Sequence, residues 1–142
     1  MRPLRVLPDG SWRVGELPVA HAAGLRYLKA HLVFEDGGAF VVVGPGRMPV
    51  VVEGPAFEGR ALRIDAGADR ATLALDDGSE AELCDDALGM DPASGRFECL
   101  VRDGRARARL SRAAHQALLD HAEQEGGRFY LRAGRRLIRI RT

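Results

Sequence analysis

The chain has 142 residues, of which 46% are hydrophobic and 29% are charged, and its formal net charge is +1. These values indicate a globular protein and argue against a disordered, fibrous or membrane-spanning chain. A chain of this length hides roughly two-thirds of the surface that it exposes when unfolded, which is enough for a hydrophobic core. It also leaves room for two small subdomains, but not for two domains of ordinary size.

The near-zero net charge hides a division along the chain. Residues 1–95 carry nine basic and fifteen acidic side chains, whereas residues 96–142 carry twelve arginines and five acidic side chains. The two parts therefore have net charges of −6 and +7. Such an asymmetry indicates either two halves that attract each other or a basic surface that meets an anionic partner.

The cysteines and the N-terminus bear on the location of the protein. Cys84 and Cys99 form neither a CxxC pair nor a metal-binding pattern with histidines, and we expect free thiols that are buried or half-buried. The segment from Met1 to Asp9 contains no apolar stretch of the kind found in signal peptides. No segment reaches the ~20 apolar residues of a membrane span. The sequence thus predicts a cytoplasmic protein.

The first predicted elements are a turn and a strand over residues 9–14, followed by a helix. Pro18 suits the first helical turn, where its missing N–H costs nothing, and an apolar or amphipathic stripe continues at helical spacing to about residue 32. The members of this stripe are His21, Leu25, Leu28 and Leu32. Two β-branched runs within 39–53 then predict a hairpin with a loop at 44–49.

The middle of the chain predicts additional strands. Residues 60–65 and 70–75 are typical of strands, and the dipeptide Asp77-Gly78 predicts a tight turn into an alternating strand that ends near Leu83. Residues 85–95 are predicted to form a loop because they are rich in Asp, Gly, Pro and Ser.

The last part of the chain contains a second set of the same elements. A strand at 97–102, a turn at Asp103-Gly104 and an alternating strand at 105–110 lead into a helix. Ser111 is a typical N-cap for this helix, which is predicted to run to about Gln124. A final hairpin follows over residues 128–141.

The two sets match in the order turn, strand, helix, glycine pair and hairpin. Asp9-Gly10 corresponds to Asp103-Gly104, and His21 corresponds to His115 on the apolar face of each helix. This agreement predicts an ancient duplication. The predicted fold is therefore α+β, with duplicated strand–helix–hairpin units and mostly antiparallel sheets.

The duplication also predicts the division of the chain into two subdomains. The first covers residues 1–58 and the second covers residues 59–142. The second subdomain contains an inserted β-hairpin at 60–84 and the second repeat at 97–142.

Several motifs, in this order, resemble a bacterial family known only as DUF1285, a domain of unknown function. The resemblance runs from Asp9 to the C-terminus and includes Trp12, Pro18-Val19, residues 52–57, 91–95, Val101-Arg102 and 108–112. It implies a duplicated α+β core whose second half is similar to a pleckstrin-homology-like barrel. It also implies a ligand of nucleotide-like chemistry, bound in signalling at the junction of the two halves.

Four residues, at three places in the chain, depart from the family pattern. Arg47-Met48 stand where the family tends to have a Glu-Lys pair, Arg107 stands where a glutamate is expected, and His21 stands where an arginine is expected. These changes alter the charge where an anion would be recognised. The resemblance therefore predicts the fold more directly than the ligand.

The densest basic feature is the alternating strand that leads into the second helix. Its members are Arg105, Arg107 and Arg109 on one sheet face, with Arg112 at the helix start. Guanidinium groups bind phosphate or carboxylate through two parallel hydrogen bonds, so this row is a candidate anion site. The alternative is a solvated face, or ion pairs with Glu80 and Glu82. The same two interpretations apply to Arg135, Arg136, Arg139 and Arg141.

The sequence does not indicate an enzyme. It contains no HExxH, no GxSxG and no glycine-rich phosphate loop followed by lysine. His21 and His115 could act as bases near neutral pH, but their matching positions favour a packing role. We therefore predict no catalytic residue, no metal and no cofactor.

The function predicted from the sequence is a non-enzymatic module that binds a small, nucleotide-like anion between its acidic and basic halves. The expected contacts are Arg102, Arg109 and Arg112, with Arg47 and Glu53 as weaker candidates from the first half. One alternative is a protein-interaction or regulatory subunit that uses the basic C-terminal sheet face. Nucleic-acid binding is a third possibility, with little support because few aromatic residues lie near the basic strands.

Overall fold

The computed structural model describes residues 3–141 and shows fifteen β-strands and two α-helices in that range. Met1, Arg2 and Thr142, which the predicted subdomains include at their ends, lie outside the described residues. The fold is α+β, as predicted, but sheet dominates it. Neither helix in the described range is long and apolar enough to cross a membrane.

The first unit is a six-stranded sheet with one helix. Its elements are β1 (Leu4–Val6), β2 (Trp12–Val14), β3 (Leu17–Pro18), α1 (Ala22–Ala30), β4 (Leu32–Glu35), β5 (Gly38–Val43) and β6 (Gly46–Val52). The strand order is β3-β2-β1-β6-β5-β4. Two antiparallel meanders of three strands meet where β1 and β6 run parallel.

An insert of three strands connects the two units. Its elements are β7 (Phe57–Asp65), a short 3₁₀ turn (Ala66–Ala68), β8 (Arg70–Leu75) and β9 (Glu80–Glu82). The three strands form an antiparallel meander, with a bulge in β7 between Gly59 and Ala61.

The second unit has a helix flanked by two meanders. Its elements are β10 (Leu88–Met90), β11 (Phe97–Val101), β12 (Ala106–Leu110), α2 (Arg112–His121), β13 (Ala122–Glu125), β14 (Arg128–Ala133) and β15 (Arg136–Arg139). The first meander joins the insert in a second six-stranded sheet, with the order β10-β11-β12-β7-β8-β9 and a parallel β12–β7 pair. The second meander forms a third sheet, and a parallel bridge between Gly89 and Arg141 links it to β10.

The duplication predicted from the sequence is present. The two six-stranded sheets share one plan, in which a parallel pair joins two antiparallel meanders. In addition, a helix followed by a three-stranded meander occurs twice, at positions 90 residues apart. The helix ends correspond closely: His31 Nδ1 lies 2.8 Å from the Tyr27 carbonyl oxygen, and His121 Nδ1 lies 3.2 Å from that of Ala117.

The residue correspondence between the repeats differs from the predicted one. The His21 side chain caps α1 by accepting the N–H of Gly24 at 3.1 Å, and Ser111 caps α2 by accepting that of Ala114 at 3.2 Å. His21 therefore matches Ser111 rather than His115, and it is exposed instead of packed. Apolar spacing gives the phase of a helix but not its first residue, because any side chain with an acceptor can cap it.

The matching of the two Asp-Gly turns was also wrong. The turn at Asp9-Gly10 connects β1 and β2, whereas the turn at Asp103-Gly104 connects β11 and β12. Because β1 and β10 occupy the same place in their units, the counterpart of the first turn is the β10–β11 connection. Asp-Gly dipeptides suit any tight turn and carry no information on which strands they join.

Both helices are shorter than predicted. Leu17 and Pro18 pair with β2 as a strand, so α1 begins only at Ala22, and Leu32 pairs with Val41 as the first residue of β4. Helix α2 ends at His121, after which the chain continues as β13. A leucine at the end of a helical stripe also fits the first buried position of a strand, which is why spacing alone overextends the helix.

Two strand predictions also change. The β5–β6 connection is a two-residue turn at Gly44-Pro45, so Arg47 lies within a strand instead of a loop. The predicted loop at 85–95 contains β10, and β1 is a strand that the sequence did not predict. The pleckstrin-homology-like barrel expected for the second half stays a prediction.

One hydrophobic core extends through both units and the insert. The largest fully buried side chains are Trp12, Leu73, Leu83, Leu88, Leu110, Leu118, Leu131 and Ile138. The units meet where the segment Gly54–Phe57 leaves β6 and passes against the β1–β2 turn. The Trp12 indole donates a hydrogen bond to the Ala56 carbonyl at 3.0 Å, and Gly54 comes so close to Leu7 that a Cβ would lie 2.2 Å from its carbonyl oxygen.

Candidate ligand-binding clefts at the junction of the two halves

The arginine row of β12, which consists of Arg105, Arg107 and Arg109, lies along the junction. The strand alternates as its sequence predicts, because Ala106, Ala108 and Leu110 are buried on the opposite face. Arg105 donates to the Phe34 carbonyl at 2.6 Å. Arg109 donates to the carbonyls of Pro8 and Asp9 at 3.2 and 3.0 Å. Two members of the row thus bind backbone of the first unit.

The larger cleft, which we call the β5–β12 cleft, has a volume of about 590 Å³. One wall comes from the first unit and the other from the start of β12. The lining residues are Phe34–Ala39, Val50, Val52–Gly54 and Arg105–Arg107. Its volume lies within the ~300–1,000 Å³ typical of small-molecule sites.

The walls of the β5–β12 cleft carry opposite charges. Arg105 and Arg107 lie on the β12 wall, and Glu35, Asp36 and Glu53 lie on the other. Glu53 accepts a hydrogen bond from Arg5 at 2.6 Å, and Glu35 accepts one from Arg47 at 2.5 Å. The cleft therefore offers guanidinium donors on one side and carboxylate acceptors on the other.

The two arginines of this cleft differ in how far their charge is neutralised. Arg107 donates to Glu98 Oε1 at 2.9 Å, and the Glu98 side chain is 5% exposed. Within residues 3–141, Arg105 makes no ion pair, and its hydrogen bond goes to a neutral carbonyl. The positive charge of Arg105 is thus not paired with a carboxylate of the described residues, and an anionic ligand could bind it.

A smaller cleft of about 290 Å³, which we call the α1–β7 cleft, lies near the other end of the row. Arg109 and Lys29 line it. Lys29 forms an ion pair with Asp76, and the two side chains are 8% and 7% exposed. Asp76 also accepts the backbone N–H of Glu58 at 2.9 Å, so the buried pair ties α1 to the insert.

Arg102, an expected ligand contact, lies in neither cleft. Its guanidinium donates to Asp77 and, at 3.4 Å, to the Ser79 hydroxyl. It also lies 4.8 Å from the centre of the Phe57 ring. Burial favours a higher pKa for Asp77, but hydrogen bonds from Ser79 and the Arg102 charge outweigh burial and lower the pKa. Arg102 therefore fixes the turn after β8.

The other expected contacts do not converge either. Glu53 lines the β5–β12 cleft, whereas Arg109 lines the α1–β7 cleft. Arg112 is exposed at the start of α2 and lines neither cleft. Arg47 is also exposed, and its guanidinium carbon lies 4.6 Å from the centre of the Phe40 ring.

Sequence reasoning missed three residues of the clefts as site candidates. Arg105 was recognised in the basic row but was not chosen as a contact. Lys29 and Asp76 were not chosen as site residues: Lys29 was noted only as the single lysine among 21 basic residues, and Asp76 was interpreted as a solvated turn residue. The presence of a single lysine in a chain that otherwise uses arginine could have indicated a special role for Lys29, because guanidinium and ammonium groups are not interchangeable when buried.

The acidic residues of the insert do not neutralise the arginine row. Glu80 pairs with Arg63 at 2.9 Å, and Glu82 pairs with Arg70 at 3.2 Å. Glu98 on the neighbouring strand, which the sequence did not point to, takes that role. The predicted pairing failed because β9 lies at the far edge of the sheet from β12.

The basic C-terminal face is partly neutralised within the chain. Arg139 donates two hydrogen bonds to Asp86, at 2.9 and 2.8 Å, and Arg132 donates two to Glu123, at 2.7 and 3.1 Å. Among the described residues, two ion pairs join the acidic and basic parts of the chain, Arg139–Asp86 and Arg102–Asp77. The charge asymmetry therefore contributes contacts between the halves.

The histidines and cysteines also have defined environments. His115 packs edge-to-face on Phe97, with ring centres 5.2 Å apart. Cys99 is buried and Cys84 is exposed, so the expectation of a buried or half-buried thiol holds for Cys99 and was wrong for Cys84. Between residues 3 and 141, no group of three or more His, Cys, Asp or Glu side chains is placed to hold a metal ion.

Two solved structures have the same architecture. A DUF1285 family protein from Silicibacter pomeroyi DSS-3 superposes with a TM-score of 0.77 over 99% of this chain and 80% of that one, at 21% identity. A DUF1285 family protein from Shewanella baltica OS155 superposes with a TM-score of 0.63 over 84% of this chain and 92% of that one, at 12% identity. No protein-family model and no curated protein matches the sequence.

These comparisons define the class of protein by its fold alone, which in this chain is an internally duplicated α+β fold. The chain has the fold of DUF1285 family proteins. The resemblance drawn from the sequence motifs is confirmed at the level of the fold.

Proposed function

We propose that this chain is a divergent DUF1285 protein and a cytoplasmic, non-enzymatic module that binds a small, nucleotide-like anion in the β5–β12 cleft. The observation that carries the proposal is the position of Arg105 in a cleft of about 590 Å³ at the junction, where no carboxylate of residues 3–141 pairs with it. Of the contacts expected from the sequence, the proposal retains Glu53. Arg105 and Arg107 take the place of the others.

The lining of the cleft suits a ligand with three kinds of group. A phosphate or carboxylate would accept hydrogen bonds from Arg105 and Arg107. Hydroxyl or amino groups would donate to Glu53 on the opposite wall. An apolar or aromatic portion would contact Phe34 and Val50. A nucleotide combines all three kinds of group.

Thermal unfolding with a panel of nucleotides, sugar phosphates and simple salts tests the proposal. A ligand that binds only the folded protein stabilises it by about 2.7 kcal/mol at a concentration of 100 Kd. For a chain of 142 residues that corresponds to an increase in Tm of roughly 8–10 °C. Arg105→Gln should remove the increase for the same compound.

Arg112→Gln is the matched control, because it makes the same change at an exposed arginine outside both clefts. It should leave the ligand-induced increase in Tm intact. The proposal fails if no compound raises the Tm, or if the Arg105 variant retains the full increase.

The alternative use of the basic C-terminal face for an acidic partner has less support. Arg132 and Arg139 on that face already bind carboxylates of this chain. Within residues 3–141, Arg135, Arg136 and Arg141 form no ion pair, so a partner would have to bind these three arginines or displace the contacts of Arg132 and Arg139. Nucleic-acid binding would show an affinity that falls steeply with rising salt.

A further inference from the structure

The two units bury one part of their sheets very differently. Strand pairing places the Val6–Trp12 pair of the first unit in the position of the Met90–Phe97 pair of the second. In the helix and following meander, positions 90 residues apart correspond, so Lys29 matches Leu119. The region of the second unit that contains these counterparts is called its open end here. It consists of Met90, Phe97, His115, Leu119 and Phe129.

At these positions, Val6 and Lys29 of the first unit are buried, whereas their counterparts at the open end are exposed. Val6 is fully buried and Lys29 is 6% exposed. At the open end, Met90 is 52% exposed, Leu119 is 50% exposed and Phe129 is 47% exposed. Three large apolar side chains at one end of a small unit are unusual on a protein surface and typical of an interaction site.

The first unit shows what fits such a surface. Its covering element is the segment Gly54–Phe57, with the sequence Gly-Pro-Ala-Phe, which is neither helix nor strand until Phe57. Ala56 is fully buried and accepts the indole N–H of Trp12 at 3.0 Å. This short apolar segment thus covers Trp12, the counterpart of Phe97, while Asp76 of the insert pairs with Lys29, the counterpart of Leu119.

We propose that the open end of the second unit binds a short, non-helical apolar segment of a partner protein, of the same kind as Gly54–Phe57. The aromatic pair of Phe97 and His115 would form the floor of the site. Phe129 stands at the rim where the first unit has the small, buried Ala39. The site is independent of the β5–β12 cleft and of the ligand proposed for it.

Charge defines the partner segment further. The exposed arginines Arg96 and Arg128 precede Phe97 and Phe129 in the chain, and Arg112 lies one helical turn before His115. The covering segment of the first unit is itself flanked by acidic residues, Glu53 and Glu58. A partner segment with acidic flanks would therefore complement the rim of the open end.

The nearest carboxylates of the second unit do not cancel this complementarity. Asp91 accepts a hydrogen bond from the Ser94 hydroxyl at 2.9 Å, and Asp120 accepts one from Gln116 at 3.0 Å. Both carboxylates are thus held by neutral groups close to them in the chain. Arg128 lies opposite Glu125 in the β13–β14 pair, and Arg96 donates to the Leu110 carbonyl at 2.9 Å, but within residues 3–141 none of the three arginines forms an ion pair. Their charges therefore remain available to the flanks of a partner segment.

A peptide with the sequence of residues 52–58, Val-Glu-Gly-Pro-Ala-Phe-Glu, is the probe. The chain has three methionines, so NMR of protein labelled with ¹³C at the methionine methyl groups reports directly on Met90, and Met90→Leu assigns its signal. We expect the peptide to shift the Met90 signal in a saturable way and to leave that of Met48 unchanged. A peptide with Ala in place of its Phe should bind about tenfold more weakly.

Leu119→Glu should weaken peptide binding by a factor on the order of ten or more, because it places a charge in the apolar floor. Val51→Glu is the matched control, since Val51 is also 50% exposed but lies on the other unit. It should leave the affinity unchanged. Both changes are at exposed positions, and circular dichroism verifies that each variant is folded.

Three results would overturn the proposal. One is a Met90 signal that does not move at millimolar peptide. Another is equal peptide affinity in the Leu119→Glu and Val51→Glu variants. The third is self-association in sedimentation that Leu119→Glu abolishes, which would assign the open end to a second copy of this chain.

Discussion

The two thiols differ because one is buried and the other is not. Burial of Cys99 raises the pKa of its thiol to about 12, so the thiolate that reacts with disulfide reagents is absent at neutral pH. Cys84 is exposed. We expect an aromatic disulfide reagent to modify one thiol per chain in the folded protein and two in urea.

Cys84→Ser provides the control for this prediction. The folded variant should show almost no reaction, and the unfolded variant should show one thiol. Rapid modification of two thiols in the folded wild-type protein would contradict the burial of Cys99.

Asp77 links the stability of the protein to pH. Its pKa is lowered in the folded state, so its contribution to the free energy of unfolding is present above the unfolded pKa of about 3.8. That contribution is lost as the pH falls through the lower pKa of the folded protein. We expect Asp77→Asn to cost roughly 1–3 kcal/mol at pH 7, because Arg102 loses its charged partner.

Urea unfolding at pH 7 and at successively lower pH values measures this effect. The stability difference between wild type and Asp77→Asn should shrink as the pH falls below about 4. Asp103→Asn makes the same change in an exposed turn and should have little effect at either pH. A difference that is independent of pH would show that packing, and not the carboxylate charge, stabilises the turn.

At the scale of elements, the connection between β6 and β7 holds the two halves together. Gly54 is required there because a Cβ would lie 2.2 Å from the Leu7 carbonyl oxygen and 2.7 Å from Pro8 Cα. Both contacts are with backbone, which cannot rotate away. We expect Gly54→Ala to lower the free energy of unfolding by about 2 kcal/mol or more, through displacement of the β1–β2 turn.

Gly67→Ala is the matched control, because the nearest atom to its added Cβ would be Asp65 Oδ1 at an unstrained 3.6 Å. It should be close to neutral in chemical denaturation. Equal losses in the two variants would mean that the Gly54–Leu7 contact relaxes at little cost.

The elements also show how far the sequence predicts this fold. The strand at 70–75 and the N-cap at Ser111 were predicted correctly, because turn residues and alternation act over a few positions. The start of α1 was not, since Leu17 and Pro18 are held as a strand by Arg13 and Val14. Their strand pairing, and not their helix-forming tendency, decides their conformation.

At the scale of the whole molecule, the units share one core and should unfold together. Buried residues from β1 to β15 belong to a single cluster. Trp12, the only tryptophan, reports on the junction because its indole binds the Ala56 carbonyl. We expect the transitions measured by tryptophan fluorescence and by far-ultraviolet circular dichroism to coincide in urea.

A fluorescence transition that precedes the loss of circular dichroism would contradict this expectation. It would mean that the first unit separates from the rest before the second unfolds.

The experiment also measures how strongly Arg109 joins the halves, because Arg109→Gln should shift both transitions together to lower urea.

The candidate site depends on the fold of the whole molecule. Local alternation already placed Arg105, Arg107 and Arg109 on one face of a strand. It did not indicate which of them would be free, because their partners lie far away in the chain. Arg109 binds the carbonyls of Pro8 and Asp9, about 100 residues earlier, and Arg107 binds Glu98 on the next strand.

The sequence by itself determined both helices, most of the strands, the duplication and the arginine row, because periodicity and turn chemistry are local properties. Only the tertiary structure decided the strand order, the residue correspondence between the repeats and the shape of the clefts. It also decided that Lys29 is buried against Asp76 and that Arg105 keeps its charge beside Glu53. The physical reason is that hydrogen bonding and burial act on whichever groups the folded chain brings together, irrespective of their separation in sequence.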